Sequence, residues 1–487
     1  MSASYSRRRI ARLSLAGILL AAAPAVAGDR PATPEGAQNL QALLARYLPA
    51  PPGGEPALAT VKPDGSDYLV SVDLGALNGV VKAAGGATSY DPAILTYRLT
   101  EQDDGKWRLF QDSLPKIAGR SNDVATVVDI ANSKSTLLID PALPWWLSGS
   151  ASADRGVITM HGPTIDQTID FAAAKGDYTT TVKPDGAVST AVRDEIDDVG
   201  LKVAAVGQDG QPVNVSGRVE KAAFNIGADG LKPRKVFDLW RLLAAHRDDL
   251  AQHEAELKAL LKDIAAPGLR LAEGGEVSKA LIESPYGAIA LAGVKFAIGV
   301  ENTGPDSAID AAVGIDGLSL PVGLALPGAA DLTPSKIDVT ATLKGIDITA
   351  AANEAIADMH LTDEGPKMSD EDSARVSAAL LGAGPMRLEV APSRIVAPAI
   401  DADFQGSIRY EVGKASGSMT IRMHNFDKTM AAVRALGPDI QEKALPALAM
   451  AKGLAKTEDG GSLSWVVELS ENRSIKVNGI PLGKAPD

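Results

Sequence analysis

Ile337-Asp338-Val339-Thr340-Ala341-Thr342-Leu343-Lys344 alternates apolar and polar residues without a break. In an extended chain successive side chains point to opposite sides, so Ile337, Val339, Ala341 and Leu343 share one face and the polar residues share the other. This stretch therefore predicts a strand with one side buried and one side wet. The same grammar recurs at Tyr68-Val70-Val72-Leu74, Met386-Leu388-Val390, Ile408-Tyr410-Val412, Met419-Ile421-Met423 and Ile475-Val477. Pro63-Asp64-Gly65, Asp103-Asp104-Gly105, Asp209-Gly210 and Asp459-Gly460 supply the fixed or positive φ that a tight turn needs. One-sided strands joined by such turns predict a β-rich α+β fold: curved antiparallel sheets, a few packing helices and one long connecting helix. Aromatic residues make up only 4% of the chain, too few for the two aromatic girdles of a membrane β-barrel.

The helical period appears in few places. Leu40, Leu43, Leu44 and Tyr47 form one face of a short helix from Gly36 to Leu48, which stops at the Pro-Gly stretch 49–56. From Arg234 to Ile264, Val236, Leu243, Leu250, Leu257 and Ile264 recur every seven residues, with Leu239 and Leu260 three positions on, which predicts one long helix. His246 and His253 occupy intervening positions of that seam, and a structural seam is the preferred reading over a metal site. Further helices are expected at Ser369 to Leu381, Asp427 to Leu436, and Ile440 to Leu454 despite Pro446. Gly227-Ala228-Asp229-Gly230 followed by Pro233 reads as a linker. The expected organisation is a signal peptide at 1–27, an N-terminal β-rich domain at 28–232, a connecting helix at 233–266 and a C-terminal β-rich domain at 267–487. Thr60-Val61-Lys62-Pro63-Asp64-Gly65 returns verbatim at Thr181 to Gly186, either as a duplicated sheet unit or as one favoured turn used twice.

Arg7, Arg8, Arg9 and Arg12 precede an apolar run from Leu13 to Ala23 and the small-x-small sequence Ala25-Val26-Ala27, the order of a cleavable export signal. The run is shorter than the ~18–20 residues needed to span a bilayer, so the mature chain is expected to lack a transmembrane span. Ser6-Arg7-Arg8-Arg9-Ile10 also fits a twin-arginine signal, an alternative to the ordinary secretory route. The expected location is the periplasm. Loss of the four Arg takes the formal charge from -13 to -17, which repels nucleic acid and anionic headgroups. The chain has no Cys, which removes disulfides, thiolate metal sites, thiol nucleophiles and a lipoprotein anchor.

The chain carries no assembled catalytic motif. Its five His (His161, His246, His253, His360 and His424) match no common metal-ligand spacing, and neither a Gly-x-Ser-x-Gly elbow nor a phosphate-binding glycine loop is present. Asp103-Asp104, Asp197-Asp198 and Asp248-Asp249 read as solvated charge in turns or on a helix face rather than as paired catalytic carboxylates. The expectation is a protein that is not an enzyme and takes no cofactor and no metal. Pro144-Trp145-Trp146-Leu147 offers two readings: both rings are buried if both faces of their strand are covered, and otherwise one is a contact for a ligand. The candidate ligand-binding residues are Trp145, Trp146, Ile337, Val339 and Leu343.

Gly384-Pro385-Met386-Arg387-Leu388-Glu389-Val390, Ala397-Pro398-Ala399-Ile400, Phe404-Gln405-Gly406 and Gly417-Ser418-Met419-Thr420-Ile421 precede a closing hairpin at Leu463 to Leu469 and Ile475 to Gly483. Over Leu332 to Gly483 this series resembles an alphaproteobacterial secreted family, domain-of-unknown-function family 2125. The resemblance implies β-structure and export, and carries over no functional residue. The strand grammar is also similar, more distantly, to envelope proteins of the AsmA type, which implies, by fold analogy alone, a role near lipids or in outer-membrane assembly. Two functions are expected from these readings: binding a lipid or other hydrophobic molecule in a sheet groove, or acting as an envelope scaffold or protein-interaction protein without a small ligand.

Overall fold

The computed structural model describes residues 31–47, 57–83, 87–206, 212–246, 249–321, 330–362, 365–382, 384–411 and 414–484. The expected export signal and the turn expected at Asp209-Gly210 lie outside the described residues. Among the described residues twenty-five strands join in one antiparallel sheet, and a further two make a small hairpin. The fold is β-rich α+β, as the alternation requires. Eight α-helices among the described residues accompany the strands: α1 (Pro34–Tyr47), α2 (Leu74–Ala83), α3 (Pro233–Ala245), α4 (Glu254–Ile264), α5 (Ile348–Asp358), α6 (Asp370–Leu381), α7 (Phe426–Arg434) and α8 (Pro438–Leu454). Ser369 and Asp372 close a reciprocal capping box at the start of α6, and Pro446 lies within α8.

The expected long helix is instead a helical hairpin. Its regular period ends at His246, the chain turns, and a 3₁₀ turn (Leu250–His253) leads into α4. Lys235 in α3 pairs with Asp263 in α4 at 2.5 Å, so opposite ends of the predicted helix meet. The hairpin buries Leu242 and Leu257, whereas Leu243 of the expected seam is 40% exposed, so the seven-residue series is not the buried stripe of α3. The expected linker is also replaced: Gly227 to Gly230 belong to the strand Pro212–Leu231. That strand pairs directly with Leu269–Ser284, from Ser216↔Glu283 to Asp229↔Arg270. The boundaries drawn at 232 and 267 thus mark the ends of neighbouring strands in one continuous sheet, and the helical hairpin is a long connection between them.

One strand organises the N-terminal part. Val188–Val206 pairs over its first half with Ala173–Val182 and over its second half with Ile165–Phe171, so the sheet forks there. Asp197-Asp198 sits at the fork, inside a strand rather than in a turn, and Asp198 has a left-handed φ of 57°. The apolar positions are even before it (Val192, Ile196) and odd after it (Val199, Leu201, Val203). A left-handed residue reverses the two sides of a strand, which accounts for the switch. Two strands away Lys279, at φ 47°, continues the same line, between the pairs Lys221↔Ser278 and Val219↔Ala280.

The repeated hexapeptide forms a hairpin turn in both places, but in different registers. Asp64 pairs with Asp67 across the first, whereas Val182 pairs with Val188 across the second. Gly65 and Gly186 both adopt positive φ, the shared requirement that the sequence meets twice.

Candidate functional site: an uncovered apolar face

A single cross-strand ladder runs the length of the sheet. It begins Tyr68↔Leu99↔Leu109↔Leu137↔Gly149↔Tyr178↔Val192. It continues Val192↔Ile226↔Glu273↔Ile298↔Ala311↔Ala341↔Val390↔Gly406↔Met419↔Val467↔Val477. Residues paired across neighbouring strands point to the same side, so this row defines one apolar face.

Helices cover the two ends of that face. At the first end α1 lays Leu40 and Leu44 over Val70, Leu99, Leu109 and Ile139, and Phe237 and Trp240 of α3 pack beside them. At the other end α7 and α8 bring Phe426 and Leu448 onto Trp465 and Val477, and the Trp465 indole N–H donates to the Ala451 carbonyl at 2.7 Å. Leu99 is 1% exposed and Val477 7% exposed. Between these ends the face is open: Ile226 and Ile298 are each 48% exposed, Leu271 44%, Val313 42% and Leu388 38%. Large aliphatic side chains exposed together in adjacent rows differ from the scattered apolar residues of an ordinary surface. The six strands from Pro212–Leu231 to Met386–Ala397 span ~24 Å at a spacing of ~4.8 Å.

Within this span, Phe224, Gly275, Phe296, Val313 and Val339 form the neighbouring row. Both Phe rings lean over Gly275, where an added Cβ would lie 2.5 Å from the Phe296 ring. Two acids interrupt the apolar surface. Glu273 stands between Ile226 and Ile298, and Asp194 pairs across to Phe224. Burial raises the Asp194 carboxyl above the ordinary carboxylate pKa.

The opposite face is different in kind. Lys344 pairs with Glu389 at 2.6 Å, Arg270 with Glu301 at 2.5 Å, and Thr342 donates to Asp310 at 2.6 Å. A depression of about 660 Å³ on that side is lined chiefly by Thr179, Ala191, Asn225, Ala272, Ala297 and Ala312. It is open space left by small side chains, bordered by Asp177, Arg193 and Asp310.

Ile337, Val339 and Leu343 all lie on the apolar face, half-buried. Their partners are Ile315 and Ile395, Val313, and Ile309 and Leu388 respectively. Trp145 and Trp146 belong to a strand seven inter-strand steps away, ~34 Å across the sheet. Their rings lie 5.8 Å apart, and Trp146 meets Tyr178 edge-on at 5.8 Å while packing against the first core. A register break between Leu138 and Ile139 adjoins them, and both are half-buried. The structure thus places the Trp pair at the covered end of the face and the three aliphatic residues in its open middle. Ile226, Leu271, Ile298 and Val313 complete that middle without having been singled out from sequence. The alternation Phe296-Ile298-Val300 and Ile309-Ala311-Val313-Ile315 was the available signal.

Compared with family models, curated proteins and solved structures, the chain shows no match. Among the described residues no helix is long and apolar enough to cross a membrane.

Proposed function

We propose that this is an exported periplasmic protein that binds a lipid by laying an acyl chain along the open middle of its apolar sheet face. The observation that carries the reading is the contrast along one ladder, from Leu99 at 1% exposed to Ile226 and Ile298 at 48%. Covering a half-exposed Ile, Leu or Val contributes about 1 kcal/mol, so five such residues give a ligand a substantial gain before the cost of association. The open span of ~24 Å exceeds the ~15 Å thickness of one bilayer leaflet's hydrocarbon, long enough for a single chain. The export signal and the likeness of the strand grammar to AsmA-type envelope proteins support an envelope setting. Mass spectrometry of organic extracts from mature protein purified without detergent tests the proposal. A stoichiometric acyl lipid is expected, and a clean extract together with no uptake from vesicles would leave the scaffold role in its place.

A further inference from the structure

The break in the expected long helix brings together two His that seven-residue spacing on a continuous helix would keep two turns apart, with Asp249 between them. His246 closes α3, Asp249 precedes the 3₁₀ turn and His253 precedes α4. Their imidazole rings stack with centroids 3.4 Å apart. His246 Nδ1 lies 3.2 Å from Asp249 Oδ1, and His253 Nε2 lies 3.6 Å from Asp249 Oδ2. One donor atom from each of the three residues lies within 4.8 Å of the others.

We propose that this turn is a binding site for one divalent transition ion of the zinc class, held by His246, Asp249 and His253. Bonds of ~2.0–2.1 Å in a tetrahedron set neighbouring donors ~3.3 Å apart; each His nitrogen already stands near that distance from one of the two Asp249 oxygens, and small side-chain rotations would bring one donor from each residue onto a shared ion. Two imidazoles with one carboxylate favour zinc, nickel, cobalt or copper over calcium and magnesium, which prefer all-oxygen sites. Three protein ligands leave a fourth position for water. Glu256 Oε2 lies 3.8 Å from His253 Nδ1, on the ring nitrogen that does not face Asp249. That is ion-pair rather than hydrogen-bond distance; closing it by about 1 Å on ion binding would let Nδ1–H donate to Glu256 and leave Nε2 for the ion. All three ligands are partly exposed, so the ion has an entry path.

The ion would tie α3 to α4. α3 carries Phe237 and Trp240 to the first core, while α4 reaches α5 through Lys258 Nζ, which donates to the Ala357 carbonyl at 2.9 Å. The site therefore links the helical cover at one end of the apolar face to the helices beyond it.

The test is titration of tag-free, chelator-treated mature protein with Zn²⁺, and separately with Co²⁺, by calorimetry and visible absorption. One equivalent is expected, with the strong cobalt absorption of a tetrahedral site and a melting temperature raised by at least about 2 °C. His246→Ala and His253→Ala are each expected to weaken binding at least about 100-fold, and Glu256→Gln by about 10-fold. His161→Ala and His424→Ala serve as controls, since those His pair singly with Asp166 and Asp403 elsewhere. Circular dichroism confirms that each variant is folded. Sub-stoichiometric binding, or affinity unmoved by His246→Ala and His253→Ala, would overturn the proposal.

Discussion

Val313→Glu is the sharpest probe of the apolar face. Val313 lies in the open middle, paired with Phe296 and Val339 and already 42% exposed. In the unliganded fold the new carboxylate can reach water, so the loss is part of one Val burial, about 1 kcal/mol. Under a bound acyl chain it must lose its hydration or take up a proton. Protonating a carboxyl of ordinary pKa ~4.3 at pH 7 costs about 3.7 kcal/mol, which lowers affinity by up to roughly 500-fold. Lowering the pH toward ~4.3 removes that cost, so uptake by the variant recovers in acid relative to the native protein. Ala312→Glu, one residue earlier, projects from the opposite face and leaves binding unchanged. Uptake of a fluorescent fatty acid from vesicles reads the affinity, and a urea midpoint confirms folding. Retention of binding within about threefold by Val313→Glu, or an equal loss with Ala312→Glu, would refute the assignment of face and function together.

Three further outcomes test the fold. Leu99→Ala, at a fully buried site between α1 and the sheet, should cost about 2–5 kcal/mol in urea denaturation, whereas Ile226→Ala in the open middle should cost under about 1.5 kcal/mol. Gly406→Val should destabilise strongly, since a Cβ there would lie 2.3 Å from the Ser418 carbonyl oxygen and 2.7 Å from Met419 Cα on the paired strand; a melting temperature within a degree of native would contradict that close approach. Asp194→Asn should stabilise the protein at pH 7. The raised folded-state pKa means that ionised Asp194 opposes folding in full above that pKa; the opposition fades as pH falls from there to the ordinary carboxylate value and is gone below it, so the gain from Asn should vanish in acid melts.

The composition of the face was more legible than its cover. Period-two alternation at 337–344 and its repeats located strands, because side-chain direction in an extended chain is a local property. Likewise, the α1 face of Leu40, Leu43 and Leu44 and the helix from Ser369 to Leu381 follow from local spacing. The stretch from 234 to 264 reads as one helix because its apolar sevens satisfy a straight helix and a folded-back hairpin equally well. That choice depends on which surface buries the seam. The same limit applies to Gly227 to Gly230, whose small residues suit a linker and equally suit a strand pressed between two neighbours.

The sequence by itself determined that the chain alternates between apolar and polar sides, where it turns, and that Cys chemistry has no part in it. Only the tertiary structure decided that the strands form one forked sheet, that helices cover its ends and leave Ile226, Ile298 and Val313 open, and that His246 meets His253. Alternation fixes the direction of each side chain relative to its own backbone. Exposure, and the meeting of residues along a broken helix, depend on what another part of the chain places beside them.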